Sequence, residues 1–168
     1  MKSAYQDTVE EVRNLKGIEE ALAIAIEREK EARDFYMQKA AQMEDPKFKE
    51  LYEHLAGEEV KHLGYLEEYR DKKALPEIST EIPSGQSFSP EFDQARIKVG
   101  NITLGDAGIL LAAMRHERKS EDFYSELAKR AEDEKQKDFF QMLSGYERGH
   151  YELIDSYLEA VTRFRMQT

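Results

Sequence analysis

AIEREKEARDFY, residues 25–36, returns 88 residues further on as AMRHERKSEDFY, residues 113–124. Held at that offset, Leu55 falls on Leu143, Gly57 on Gly145, Glu59 on Glu147, His62 on His150 and Tyr69 on Tyr157, without a gap. This is an internal duplication of one unit. Within each copy the apolar residues recur at steps of four and three, the period of a helix with one buried face. The spacing predicts helices over 17–43 and 46–72, with Asp45 as N-cap and Pro46 in the first turn, and a second pair over 105–131 and 133–164. Each pair is a tight antiparallel hairpin, one at 17–72 and one at 105–166, within a single domain spanning 1–168.

The connector between the hairpins, 73–104, contains LPEISTEIPSGQSFSPEFDQ at 75–94, whose prolines at 76, 83 and 90 forbid a long helix. A helix of this length is about 40 Å long at about 1.5 Å per residue, so a chain returning to the starting end needs a dozen or more extended residues. The connector has more than enough. The expected fold is therefore all-α: a four-helix bundle of two antiparallel hairpins joined by one long crossover. A homodimer is expected, and a connector this long would also let one hairpin pack on another chain, so hairpin swapping is one form it could take.

The buried seam of each helix is interrupted by charge. The first seam runs Ile18, Leu22, Ala25, Glu29, Ala32, Tyr36, Lys39, Met43, and the second Phe48, Tyr52, Leu55, Glu59, His62, Leu66, Tyr69. The third runs Leu110, Ala113, Glu117, Ser120, Tyr124, Leu127, Ala131, and the fourth Phe140, Leu143, Glu147, His150, Ile154, Tyr157, Val161, Phe164. Burying one unpaired charge costs several kcal/mol, so four carboxylates at one level of a bundle need cations. Two divalent ions would neutralise Glu29, Glu59, Glu117 and Glu147, and neutral His62 and His150 would fill further coordination positions. A Glu and a His three apart share a helix face and can reach the same metal.

The duplication separates these six from ordinary charges. Glu27 pairs with Arg115, Glu31 with Lys119 and Glu58 with Tyr146, which reads all three as surface positions. His54 pairs with Met142 and His116 with Arg28, off the seam, as partly exposed helix residues. Tyr36 and Tyr124 lie on the seam two turns beyond Glu29 and Glu117, either as core aromatics or with hydroxyls that orient a ligand carboxylate. Gly57, Gly64, Gly145 and Gly149 each cost roughly 1 kcal/mol inside a helix, and close helix approach near the metals is the expected reason.

Composition narrows the function. A net charge of −10 without a basic patch argues against nucleic acid. The longest apolar run, AGILLAAM at 107–114, is too short for a membrane span, and no signal segment is visible, so a cytoplasmic location is expected. Zero cysteines exclude thiolate metal sites and any iron–sulfur or rubredoxin-like centre from these residues. Electrons, if used, must come from a separate protein.

The Glu in AIEREKEARDFY, Glu-x-x-His in EVKH, the Glu in AMRHERKSEDFY and Glu-x-x-His in ERGH together resemble the ferritin-like di-iron carboxylate proteins, specifically the rubrerythrin-like branch. The resemblance implies that Glu29 and Glu117 are ligands from the first helix of each hairpin, that Glu59 and Glu147 bridge or chelate the metals, and that His62 and His150 each cap one. It implies two iron ions, with manganese or a mixed pair as alternatives, and a redox enzyme that reduces hydrogen peroxide or O₂. The same six residues would carry the catalysis. Two departures stand out: the cysteine-rich rubredoxin module is absent, and Ser120 occupies the place where rubrerythrins carry a further Glu. Iron oxidation for storage or delivery is a second reading, which the absence of a short fifth helix after the fourth disfavours. A non-catalytic bundle stapled by metal is a third.

Overall fold

A computed structural model describes residues 3–77 and 104–165, apart from the side chains of Leu104, Phe164 and Arg165. Five helices are present among them: α1 (Ala4–Asn14), α2 (Ile18–Gln42), α3 (Pro46–Lys72), α4 (Leu104–Lys129) and α5 (Glu134–Arg165). The α2–α3 and α4–α5 pairs are the two expected hairpins, with ends within one or two residues of the sequence reading. Most of the connector, 78–103, lies outside the described residues, as does the side chain of the seam residue Phe164. No described helix is long and apolar enough to cross a membrane.

The caps explain where the hairpins turn. The Asp45 carboxylate accepts from the backbone N–H of Lys47 at 2.9 Å and of Phe48 at 3.3 Å, and Pro46 follows it as first residue of α3. Asp133 does the same for α5, accepting from the Gln136 N–H at 2.8 Å. Helix α3 ends at Lys73, whose left-handed backbone (φ 51°) stops the helical ladder.

Two apolar clusters fill the bundle. One joins Leu22 and Ile26 of α2, Leu63 and Leu66 of α3, Phe123 and Leu127 of α4, and Phe139 and Leu143 of α5. The other joins Ala32 and Tyr36 of α2, Phe48 and Leu55 of α3, Leu110 and Met114 of α4, and Ile154 and Tyr157 of α5. The early half of α2 thus shares an end with the late half of α4, so these helices are antiparallel, and α3 and α5 are antiparallel by the same argument. Helix α3 finishes at the end opposite to where α4 begins. That places the ends of the connector a bundle length apart, as a crossover requires.

Helix α1 is an addition to the expected four. Ser3 Oγ accepts from the Gln6 N–H at 3.2 Å, and Gln6 Oε1 accepts from the Ser3 N–H at 2.9 Å, a closed capping box. The helix lies along α4, burying Val12 in the first cluster. Its contacts are specific: Tyr5 Oη donates to Glu126 at 2.8 Å, Arg28 pairs with Glu11 at 2.6 Å, and Arg130 donates to the Val12 carbonyl at 3.2 Å.

The interior glycines correct one expectation. A Cβ at Gly57, Gly64 or Gly149 would meet no atom within 4 Å. These glycines face outward, so close helix approach is not their reason, and nothing in the structure explains them.

Candidate metal centre

Between the two apolar clusters lies a polar layer built from the six interruptions of the seam. Glu29 comes from α2, Glu59 and His62 from α3, Glu117 from α4, Glu147 and His150 from α5, and none is more than 5% exposed. Each helix presents its Glu where helical periodicity aims the chain inward, and the antiparallel pairing brings all four to one level. The exposed Glu27 and Glu31 face away, as expected.

The imidazoles turn their Nδ1 atoms into this layer. His62 Nδ1 lies 3.1 Å from Glu147, 3.2 Å from Glu59 and 3.4 Å from Glu29. His150 Nδ1 lies 3.4 Å from Glu117 and 3.5 Å from Glu59. The two rings stack with centroids 5.3 Å apart. Ligand atoms fall into two overlapping groups, each within 4.8 Å: Glu29, Glu59, His62 and Glu147, then Glu59, Glu117, Glu147 and His150. Glu59 and Glu147 belong to both.

Two tyrosines tie the layer together across the duplication. Tyr36 of the first hairpin donates its hydroxyl to Glu117 of the second, and Tyr124 of the second donates to Glu29 of the first. Each ring is held by stacking: Tyr36 on Tyr52, centroids 6.2 Å apart, and Tyr124 on Phe140, 6.5 Å apart. Of the two sequence readings of these tyrosines, the structure favours the one in which the hydroxyl orients a carboxylate. Burial and the facing carboxylates raise both phenols well above their ordinary range, so both remain donors.

Without a cation the layer balances its charge with protons. Burial alone pushes every carboxyl up. At Glu29 the hydrogen bonds from His62, Glu59 and Tyr124 overcome burial and hold the group down to about 2. Glu117 is also lowered against burial, by the charge and hydrogen bond of His150 with help from Tyr36. Glu59 is pushed up to about 7 by burial and the charges of Glu29 and Glu117, and Glu147 rises well above its ordinary value by burial and the other three carboxylates. Burial opposes protonation of His62 and His150, yet the surrounding carboxylates raise both well above the ordinary histidine range. Below about pH 7, two carboxylates then face two imidazolium rings while Glu59 and Glu147 hold their protons.

The donor set fits a metal. Glu29 Oε2, Glu59 Oε1, Glu117 Oε2 and Glu147 Oε1 are all buried, and each meets an imidazole Nδ1 at 3.1 to 3.5 Å without the geometry of a well-formed hydrogen bond. So each carboxylate turns one oxygen into the layer with no well-formed hydrogen bond to hold it. Buried polar atoms in such number are costly unless something coordinates them. Mixed carboxylate and imidazole donors suit iron or manganese.

Glu58 departs from the sequence reading. It is half-buried rather than a surface residue, and one of its carboxylate oxygens lies within 4.8 Å of a ring nitrogen of both His62 and His150. The mismatch with Tyr146 across the duplication concealed it. His54 and His116 are half-buried, outside the layer, as read from the sequence.

A bundle of this topology, with buried carboxylate and histidine clusters that could hold metal, is a ferritin-like fold. The rubrerythrin family model matches residues 20–158, and the chain belongs to that family. A solved structure of a hypothetical protein from Pyrococcus furiosus is similar over 91% of this chain and 96% of its own, at 25% identity and a TM-score of 0.68. No curated protein matches the chain.

Proposed function

We propose that the chain holds two iron ions in this layer and reduces hydrogen peroxide or O₂ with electrons from a separate donor protein. The observation that carries this reading is the pair of overlapping donor groups sharing Glu59 and Glu147. One group would hold one ion through Glu29 and His62, the other a second ion through Glu117 and His150. Four carboxylates then balance two divalent cations, with both imidazoles neutral.

The pair would supply two one-electron changes, matching the two electrons and two protons that convert hydrogen peroxide to two waters. The chain's own residues do the rest. Tyr36 and Tyr124 hold the outer oxygens of Glu117 and Glu29, which fixes the direction of their remaining oxygens. The apolar clusters on either side exclude bulk water from the layer. Manganese or a mixed pair would use the same donors.

Zero cysteines support an external donor, because these residues hold no thiolate relay of their own. A homodimer, with hairpins swapped or not, belongs to the same proposal.

The test is to load the protein with Fe²⁺ without oxygen, count metals per chain, and mix it separately with O₂ and with peroxide while following the absorption spectrum. Two irons per chain and faster oxidation by peroxide support the reading. Iron accumulating far beyond two per chain points instead to storage. A loaded site inert to both oxidants leaves only a structural role.

A further inference from the structure

The duplication makes the two halves of the centre nearly equivalent, so the places where it fails are informative. Position 58 corresponds to 146 and position 61 to 149, which sets Glu58 and Lys61 in the first hairpin against Tyr146 and Gly149 in the second. Neither first-hairpin residue has a chemical counterpart.

Around the imidazoles the difference is direct. Tyr146 lays its ring beside His62, centroids 5.1 Å apart and tilted 41°. The corresponding neighbour of His150 is Glu58, whose carboxylate oxygen lies within 4.8 Å of a ring nitrogen of His150 on the facing helix and of His62 on its own. Both Nδ1 atoms already face the metal layer, so the nitrogen open to Glu58 is Nε2, buried and without a partner on either ring. Lys61 pairs with Glu58 at 2.5 Å and steadies the carboxylate, whose side chain is 18% exposed.

We propose that Glu58 is a positioning residue that accepts the Nε2–H of His150, directly or through one water, and makes the two metal positions unequal. A carboxylate behind an imidazole fixes its tautomer and ring orientation and makes the ligating nitrogen a better donor. The position served by His150 is then the tighter, and fills first. The position served by His62, whose imidazole carries the Tyr146 ring against it, fills second. The proposal rests on the dinuclear reading given above.

The experiment is an oxygen-free Fe²⁺ titration, in competition with a chromophoric chelator, of wild type, Glu58→Gln and, as a charge control, Glu31→Gln, whose side chain is exposed. Circular dichroism of the metal-free proteins checks the fold. The expected result is that E58Q weakens the first of two binding steps by about tenfold, the scale seen for such outer partners, leaves the second unchanged, and that E31Q changes neither. In the His150→Ala background, E58Q should have no further effect on the remaining step. Two unchanged steps in E58Q, or two steps weakened equally, overturn the role of Glu58 while leaving the dinuclear site standing. Failure of the wild type to take up two irons overturns the dinuclear reading itself, and this proposal with it.

Discussion

Tyr36 and Tyr124 each hold a carboxylate that belongs to the other hairpin, so a single hydroxyl serves both packing and ligand orientation. Replacing Tyr124 with Phe keeps the stacking on Phe140 but frees Glu29 to rotate. Iron affinity should fall about tenfold in a chelator competition while the helical content stays constant. Removing a donor outright goes further. Glu29→Ala should lower iron from two per chain towards one by elemental analysis, because only one of the two donor groups includes Glu29. All six residues of the buried layer are legible in the sequence, since a charge on a greasy seam is conspicuous and the duplication repeats it. Glu58 is not. Its place beside two imidazoles depends on side-chain direction at the edge of the seam, where periodicity alone does not separate surface from half-buried.

At the scale of the helix, the turn between α2 and α3 depends on one carboxylate. Asp45→Ala removes the acceptor for two N–H groups and should cost about 1 kcal/mol in denaturant unfolding. The glycines run the other way. With open space beyond Gly57, Gly64 and Gly149, each change to Ala should stabilise the protein by up to about 1 kcal/mol by favouring the helix. Loss of stability in these variants would restore the close-approach explanation. The hairpin helices could be read from apolar period and caps. Helix α1 was missed although Ser3 and Gln6 carry a capping-box signature, because a short helix gains its stability from the groove that Val12 enters, which is formed by residues far along the chain.

Across the whole molecule, protons balance the charge of the buried layer, and on the proposed reading metal ions compete with them for it. Glu59 moves from an ordinary 4.5 to about 7 in the folded protein, so between those values the folded state keeps a proton that the unfolded chain has lost. Stability falls as pH rises through that window. His62 and His150, raised as well, act in the same direction at higher pH, whereas Glu29 contributes above 4.5 and loses its effect only as pH falls towards about 2. The melting temperature of the metal-free protein should therefore decline between about pH 5 and pH 8, while Mn²⁺ or oxygen-free Fe²⁺ removes the decline, and the gap between the two should widen with pH. A parallel pair of melting curves would contradict this balance. The sequence by itself determined the four hairpin helices, the two hairpins and the identity of the six residues in the polar layer, because each follows from local periodicity repeated at a fixed offset. Only the tertiary structure decided that Glu59 and Glu147 serve both donor groups, that each tyrosine crosses to the opposite hairpin, and that Glu58 faces the imidazoles. Those facts depend on how one hairpin is rotated against the other, and that rotation is set by packing between residues far apart in the chain.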